Sequence, residues 1–301
     1  MKPATEDHVA RAELFHRLHH GPKPLRLVNA WDRFSARIFA LTGAPAVATS
    51  SYAVALARGY PDGERIPWAV AREAVAEMVD AAGDIPVTAD IEAGRGPAPS
   101  DVAATVDDVI TAGAVGVNIE DKPPGARGEL FTTEAQCDRL RAARAAAERR
   151  SLPLFINARC DVYFGARLAE TERPRQLLER ATAYAEAGAS GVFVPGLTDL
   201  GILAGLCDTV GAVVNVMVCP GLPSVEALAG AGVRRISQGG FSFLMTASYL
   251  GRMTGAFLEG PYEAAGGDVV PALHLVRGLA MRPVAGGDGG DERAGRPPNS
   301  R

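Results

Sequence analysis

The stretch "ADIEAGRG" (89–96) puts Asp90 and Glu92 at the end of an apolar, β-leaning run. Carboxylates at such a place are costly unless they are paired or meet a cation. Comparable polar groups close other apolar runs: Trp31-Asp32, Thr49-Ser50-Ser51 followed by "RGYPD" with Asp62, Asn118-Ile119-Glu120-Asp121, Asn157-Ala158-Arg159 with Asp161, Asn215, and Ser237-Gln238. If these run ends share one mouth, Asp62, Asp90, Glu92 and Glu120 converge there with Arg159 facing them. So many carboxylates repel unless neutralised. A hard cation with oxygen ligands fits, Mg2+ first, because it takes one or two carboxylates and keeps waters or substrate oxygens. The histidines (8, 16, 19, 20 and 274) all lie outside the apolar runs. That argues against a His-rich zinc or iron centre and against a His-based nucleophilic triad.

Each residue alone has a plainer use. A run-end Asp serves more often as a helix N-cap than as a ligand, and Asp121 and Asp161 read as such caps or loop braces. Arg159 would serve as a structural partner for an acid. Trp31 reads as packing, and Cys160 and Cys219 as small apolar fillers. The convergence of four acids from successive run ends is what favours chemistry.

The elements that must position these groups are eight short apolar runs: 25–31, 46–51, 85–92, 115–121, 154–161, 191–197, 212–218 and 234–240. Between them lie amphipathic, Ala-rich segments. Three end in an Ala-Gly step before the next run, Ala112-Gly113, Ala187-Gly188 and Ala231-Gly232, and Gly suits the left-handed stop of a helix. Continuous apolar strands alternating with helices mean a parallel sheet covered on both faces. Eight such units predict a (β/α)8 barrel, whose active groups sit at the C-terminal strand ends. The alternative, a doubly wound open sheet, would more usually carry a Gly-rich first turn, and no GxGxxG is present. An extra helix is expected within residues 1–22 and one or two within 241–282. Residues 1–283 read as a single domain, and 284–301 as a Gly-, Pro- and charge-rich disordered tail.

The 301 residues are 47% hydrophobic and 22% charged, enough for a sizeable core. A net charge of −4 and the lack of long basic runs argue against nucleic acid. "RLRAARAAAERR" (139–150) reads as a solvated helix face. No run is long enough for a membrane span, and the charged first twenty residues do not read as a secretory signal. Cys137, Cys160, Cys207 and Cys219 lack CxxC spacing and read as reduced thiols of a cytoplasmic protein.

"SSYAVALARGYPD", "VTADIEAGRG", "GVNIED" and "INARCDVY" occur in the order and spacing of the isocitrate lyase/phosphoenolpyruvate mutase superfamily, which the chain resembles over about residues 25–245. The resemblance implies a (β/α)8 barrel with its last helix exchanged between subunits of a homodimer or homotetramer. It also implies Mg2+ (or Mn2+) and an α-oxyacid substrate. Ser50, Ser51 and Tyr52 match the segment that holds the substrate carboxylate. Asp62, Asp90, Glu92 and Glu120 match the acids that hold Mg2+ directly or through water. Arg159 and Asn215 match substrate contacts, Arg159 also facing the developing enolate. Asp90 and Glu92 follow the lyase version of their motif, and Thr88 stands where mutases carry an Asp. The Lys-x-Cys-Gly-His loop of isocitrate and methylisocitrate lyases is absent. Cys137 falls in a predicted helix with a Thr N-cap. Lys122 is present without the Asn of the phosphonomutase gating loop, and Pro195-Gly196 replaces the His that mutases carry after strand six.

These features favour a Mg2+-dependent C–C lyase or decarboxylase of a small 2-oxo or 2-hydroxy carboxylate, with Arg159, Glu92 and Tyr52 as the catalytic groups. Phosphonopyruvate hydrolysis or phosphonomutase chemistry is the second expectation. A barrel that binds a carboxylate without turnover is the third.

Overall fold

The alternating runs become strands and helices in the expected order. The computed structural model describes residues 3–260. Eight parallel strands close into a barrel in chain order: β1 (Leu25–Ala30), β2 (Val47–Thr49), β3 (Val87–Asp90), β4 (Gly116–Glu120), β5 (Phe155–Arg159), β6 (Gly191–Phe193), β7 (Val213–Met217) and β8 (Arg235–Ser237). The helices are α1 (Glu6–Leu18), α2 (Arg33–Leu41), α3 (Ser51–Ala57), α4 (Trp68–Ala82), α5 (Pro99–Thr111), α6 (Thr133–Arg149), α7 (Arg173–Glu186), α8 (Leu200–Thr209), α9 (Val225–Gly230) and α10 (Phe241–Glu259). The expected tail and any helix after α10 lie outside the described residues.

The Ala-Gly steps stop helices as anticipated. Gly113 has φ +94°, and a Cβ there would stand 2.8 Å from Val79 Cγ1, so backbone freedom and close approach both require glycine. The expected Thr N-cap of the Cys137 helix is Thr132, whose hydroxyl accepts from Ala135 N at 3.2 Å. Cys137 itself is buried in α6, away from the barrel mouth.

The extra N-terminal helix plugs the foot of the barrel. His8 Nε2 donates to Ala114 O at 2.9 Å and His16 Nε2 to Pro153 O at 3.0 Å, both carbonyls just ahead of a strand. Phe15 and His19 then enter the foot. His19 stacks on Phe155 at 4.0 Å, and Phe15 meets the same ring edge-on at 5.5 Å.

Above this plug the interior turns polar, unlike the branched apolar layers usual in such barrels. The register sets Asp90, Asn118 and Asn157 side by side on β3, β4 and β5. Asn157 Nδ2 donates to Asn118 Oδ1 at 3.0 Å, and Asn118 Nδ2 to Asp90 Oδ1 at 3.3 Å. A second row runs Glu120, Arg159, Phe193, Asn215, Arg235, Leu25. Because strands tilt against the axis, that row starts at the rim on β4 and ends at the first residue of β1.

Candidate active site

The C-terminal strand ends surround a cavity of about 640 Å3. Asp62, Asp90, Glu92, Glu120 and Arg159 all line it, as do Ser50, Ser51 and Tyr52. Asn215, expected as a substrate contact, is not among the lining residues. It is fully buried and accepts from Ser237 Oγ at 3.2 Å, so it supports β8 instead.

Asp90 is the most tightly placed acid. Oδ2 accepts from the Ser51 hydroxyl at 2.7 Å and Ser51 N at 3.2 Å, while Thr49 Oγ1 accepts from Asp90 N at 2.8 Å. Ser50 caps α3 through Ala53 N. Tyr52 packs closely on Gly240, where a Cβ would stand 2.9 Å from the ring.

Glu92 sits at φ +53°, a left-handed conformation strained for a non-glycine residue. Its carboxylate pairs with Arg95 at 2.7 Å and accepts from Glu64 N. Arg95 also lies over Trp68 at 5.3 Å and donates to Ile66 O at 3.2 Å. Burial raises the Glu92 carboxyl to about 7. Arg95 opposes that rise, and Asp90 and Asp62 add to it. Glu120 is likewise pushed up, by burial first and then by Asp161 and Asp90 against the pull of Arg159.

Arg159 bridges two acids, Nη1 to Glu120 at 2.8 Å and Nε to Asp161 at 2.6 Å. Burial alone would lower its pKa, but Glu120 and Asp161 outweigh it and the guanidinium stays charged. Asp121 is fully buried and braces the rim. It accepts from Asp161 N at 2.9 Å and Tyr184 Oη at 2.8 Å, and pairs with Arg180 at 3.3 Å. Asp32 caps α2 through Ser35 N at 2.7 Å, and Trp31 packs on Phe243 at 5.4 Å. These two take the plainer roles. The segment after β4 closes on itself through Phe131 N to Asp121 O at 2.8 Å, and its Pro123, Pro124 and Gly125 form one cavity wall.

The donor set fits a hard divalent cation. Five carboxylates (Asp62, Glu64, Asp90, Glu92, Glu120) line the cavity against three cations (Lys122, Arg159, Arg235), and burial, with the neighbouring acids adding to it, pushes Glu92 and Glu120 towards protonation. Among the described residues no group of three or more His, Cys, Asp or Glu side chains is gathered closely enough to hold a metal ion by itself, so an ion there would draw on water or substrate oxygens, as Mg2+ does elsewhere.

Sequence reasoning did not single out Glu64, Arg95 or Arg235. The Glu92–Arg95 spacing was the available signal for the second. For the third it was the paired arginines opening β8, of which alternation turns one inward.

The sequence matches the phosphoenolpyruvate phosphomutase family model over residues 15–258. The chain belongs to the phosphoenolpyruvate phosphomutase family. Relatives grouped with it include mutases and C–C lyases. An uncharacterized protein of Mycobacterium tuberculosis strain H37Rv is 36% identical over 228 residues, 75% of this family member and 81% of that one. A crystal structure from Burkholderia cenocepacia J2315, provisionally described as a phosphonomutase, is 42% identical with a TM-score of 0.77 over 81% of this chain and 98% of that one. At 18% identity two further solved proteins share the fold. One is an oxaloacetate acetylhydrolase in complex with oxalate (TM-score 0.78, 93% and 96% covered). The other is a phosphonopyruvate hydrolase with oxalate and Mg2+ (TM-score 0.76, 90% and 96% covered). Among the described residues no helix is long and apolar enough to cross a membrane.

Proposed function

We propose that this family member is a Mg2+-dependent lyase that breaks a C–C bond in a small 2-oxo or 2-hydroxy carboxylate, with oxaloacetate decarboxylation as the simplest case. The observation that carries the reading is the cluster of oxygen donors around Asp90 facing Arg159 across one cavity. Asp90 would hold the ion, with Asp62, Glu92 and Glu120 reaching it directly or through water. Bound there, Mg2+ supplies Lewis-acid polarisation of the oxyacid. The segment Ser50–Tyr52 at the start of α3 would receive the substrate carboxylate. Arg159, held rigidly by Glu120 and Asp161, places fixed positive charge where negative charge grows as the bond breaks. The 123–125 segment and Phe164, which lies over Arg159 at 5.1 Å, flank the cavity beside the reacting groups. Loss of CO2 needs no base at the start, which suits a lining without histidine among the described residues. Glu92 and Tyr52, which line the cavity, would hand a proton to the product.

The test is a 1H NMR time course with Mg2+ and oxaloacetate, 2-methylisocitrate, isocitrate and substituted malates. EDTA and Asp90→Ala controls run beside it. Consumption of one acid, stopped by both controls, is the expected result, and an untouched panel sinks the reading. The 42% identical protein described as a phosphonomutase favours a second reading, C–P chemistry. 31P NMR on phosphonopyruvate decides it, since cleavage releases phosphate and rearrangement gives a phosphate ester.

The lyase reading includes a homo-oligomer. No residue of α10 is buried, and Leu250, Phe257 and Leu258 on it stand 59%, 60% and 73% exposed. A second copy of the chain is the proposed cover. Light scattering on a sizing column should give a dimer or tetramer mass, and a monomer at micromolar concentration would refute it.

A further inference from the structure

The floor of the cavity holds a cation that the chemistry above does not use. Arg235 opens β8 and points inward with only 3% of its surface exposed, yet it lines the cavity. Its Nε donates to Ser237 Oγ at 3.1 Å, and that hydroxyl donates on to Asn215 Oδ1, which fixes the guanidinium from one side. Nη1 has no hydrogen-bond partner among the described residues. No described carboxylate pairs with it, and Asp90 acts on it only from a distance. Arg159 is different, since Glu120 and Asp161 occupy its donors. Thr88 adds a second observation, independent of the first. Thr88 lines the same cavity, and its buried hydroxyl has no hydrogen-bond partner among the described residues.

A buried, uncompensated cation is expensive, and a half-satisfied polar group is more expensive than an apolar one. His19 Nε2, Asn157 Oδ1 and Asn215 Nδ2 are also buried without a partner in this interior, but Arg235 alone among them carries a full charge. Two cavity-lining residues, each with an unpaired buried donor, call for an acceptor. A guanidinium with a free edge matches a carboxylate better than any neutral group. We propose that Arg235, with Thr88, receives a second carboxylate of the substrate at the cavity floor, and so makes the site selective for dicarboxylic over monocarboxylic 2-oxo or 2-hydroxy acids. The inference rests on the lyase reading and deepens it. One end of the substrate meets the rim groups, and the other reaches down the polar interior to Arg235. Burial lowers the Arg235 pKa to about 9, which still leaves it charged at neutral pH to meet an anion.

The experiment is isothermal titration of the full chain with Mg2+, using malate and 2-hydroxybutyrate. These 2-hydroxy acids are of similar size and differ by one carboxylate in place of a methyl. The wild type should bind malate at least tenfold more tightly. Arg235→Met should weaken malate about a hundredfold and leave 2-hydroxybutyrate within about threefold, with Tm unchanged or raised because an unpaired buried charge has gone. Thr88→Val, nearly isosteric, should weaken malate alone by about five- to tenfold, and it decides the matter if Arg235→Met does not fold. Equal weakening of both ligands, no weakening, or a lowered Tm in folded Arg235→Met would overturn the proposal. If the wild type binds both acids in a Mg2+-dependent way without favouring malate, the floor site falls and the lyase reading stands. If it binds neither with Mg2+, the lyase reading falls and takes the floor site with it.

Discussion

Arg159 and Arg235 stand in one row of the barrel, yet they live in opposite electrostatic settings. At the rim, Arg159 is locked between Glu120 and Asp161, and removing it would strand two buried acids. At the floor, Arg235 meets a serine hydroxyl and an empty side. Beneath it the foot is plain packing: Phe15, His19 and Phe155, ring on ring. The same strand-and-tilt geometry therefore delivers three kinds of interior: paired charge, unpaired charge and apolar fill. The unpaired layer asks for an anion to complete it, as the crowded acids of the rim ask for a cation.

The sharpest way to break this contrast is Arg159→Met. Breaking a buried pair by removing one partner costs about 3–5 kcal/mol. We expect a loss of that size in urea denaturation together with loss of turnover, where Arg235→Met keeps its stability. Equal stability for the two variants would show that the rim pair is not the brace described. Phe15→Ala tests the foot. It should cost about 3–5 kcal/mol by opening a cavity in the plug, with kcat/KM of the folded fraction unchanged. A change in substrate preference would show that the foot reaches the site.

Much of this contrast was legible in the sequence, but only at one end. Apolar runs and Ala-Gly stops revealed eight units, because strand burial and helix termination leave local marks. Asp90, Glu120 and Arg159 were visible because polar residues at the C-terminal end of an apolar run are conspicuous. Arg235 was not, because it begins its run and looks like a solvated flank. The closed sheet is what brings the start of β8 to the cavity floor, and closure is a property that no single strand encodes. The Glu92–Arg95 pair was hidden for another reason. It depends on left-handed backbone at Glu92 and Arg95, which a run of "EAGR" does not announce.

A smaller effect joins floor and foot. His19 is held near pKa 3, by burial first and then by the positive charge of Arg235, with His16 and His20 adding to it. Free histidine titrates near 6.5, so the unfolded chain takes up the proton first. Stability is therefore complete above about pH 6.5 and falls as pH drops towards 3. His8 and His16 are also lowered and act with the same sign. For His19 alone the loss at pH 5 is about 2 kcal/mol. His19→Phe keeps a ring on Phe155 and removes that share, so its urea midpoint should change less between pH 7.5 and pH 5 than the wild type's. Identical pH slopes would mean that the imidazole is not buried neutral.

The smallest effect separates acids at the rim from one another. Asp32 and Asp90 both close a strand, but Asp32 caps α2 in a reciprocal arrangement with Ser35, and Asp90 faces the cavity. Loss of such a cap costs about 1 kcal/mol. Asp32→Ala should therefore shift the urea midpoint by that amount and leave kcat/KM within about twofold, while Asp90→Ala abolishes turnover with little change in midpoint. If Asp32→Ala also lost activity, the position of α2 would belong to the site. The division of strand-end acids into braces and ligands would then have to be drawn from contacts with the substrate rather than from which oxygen caps a helix.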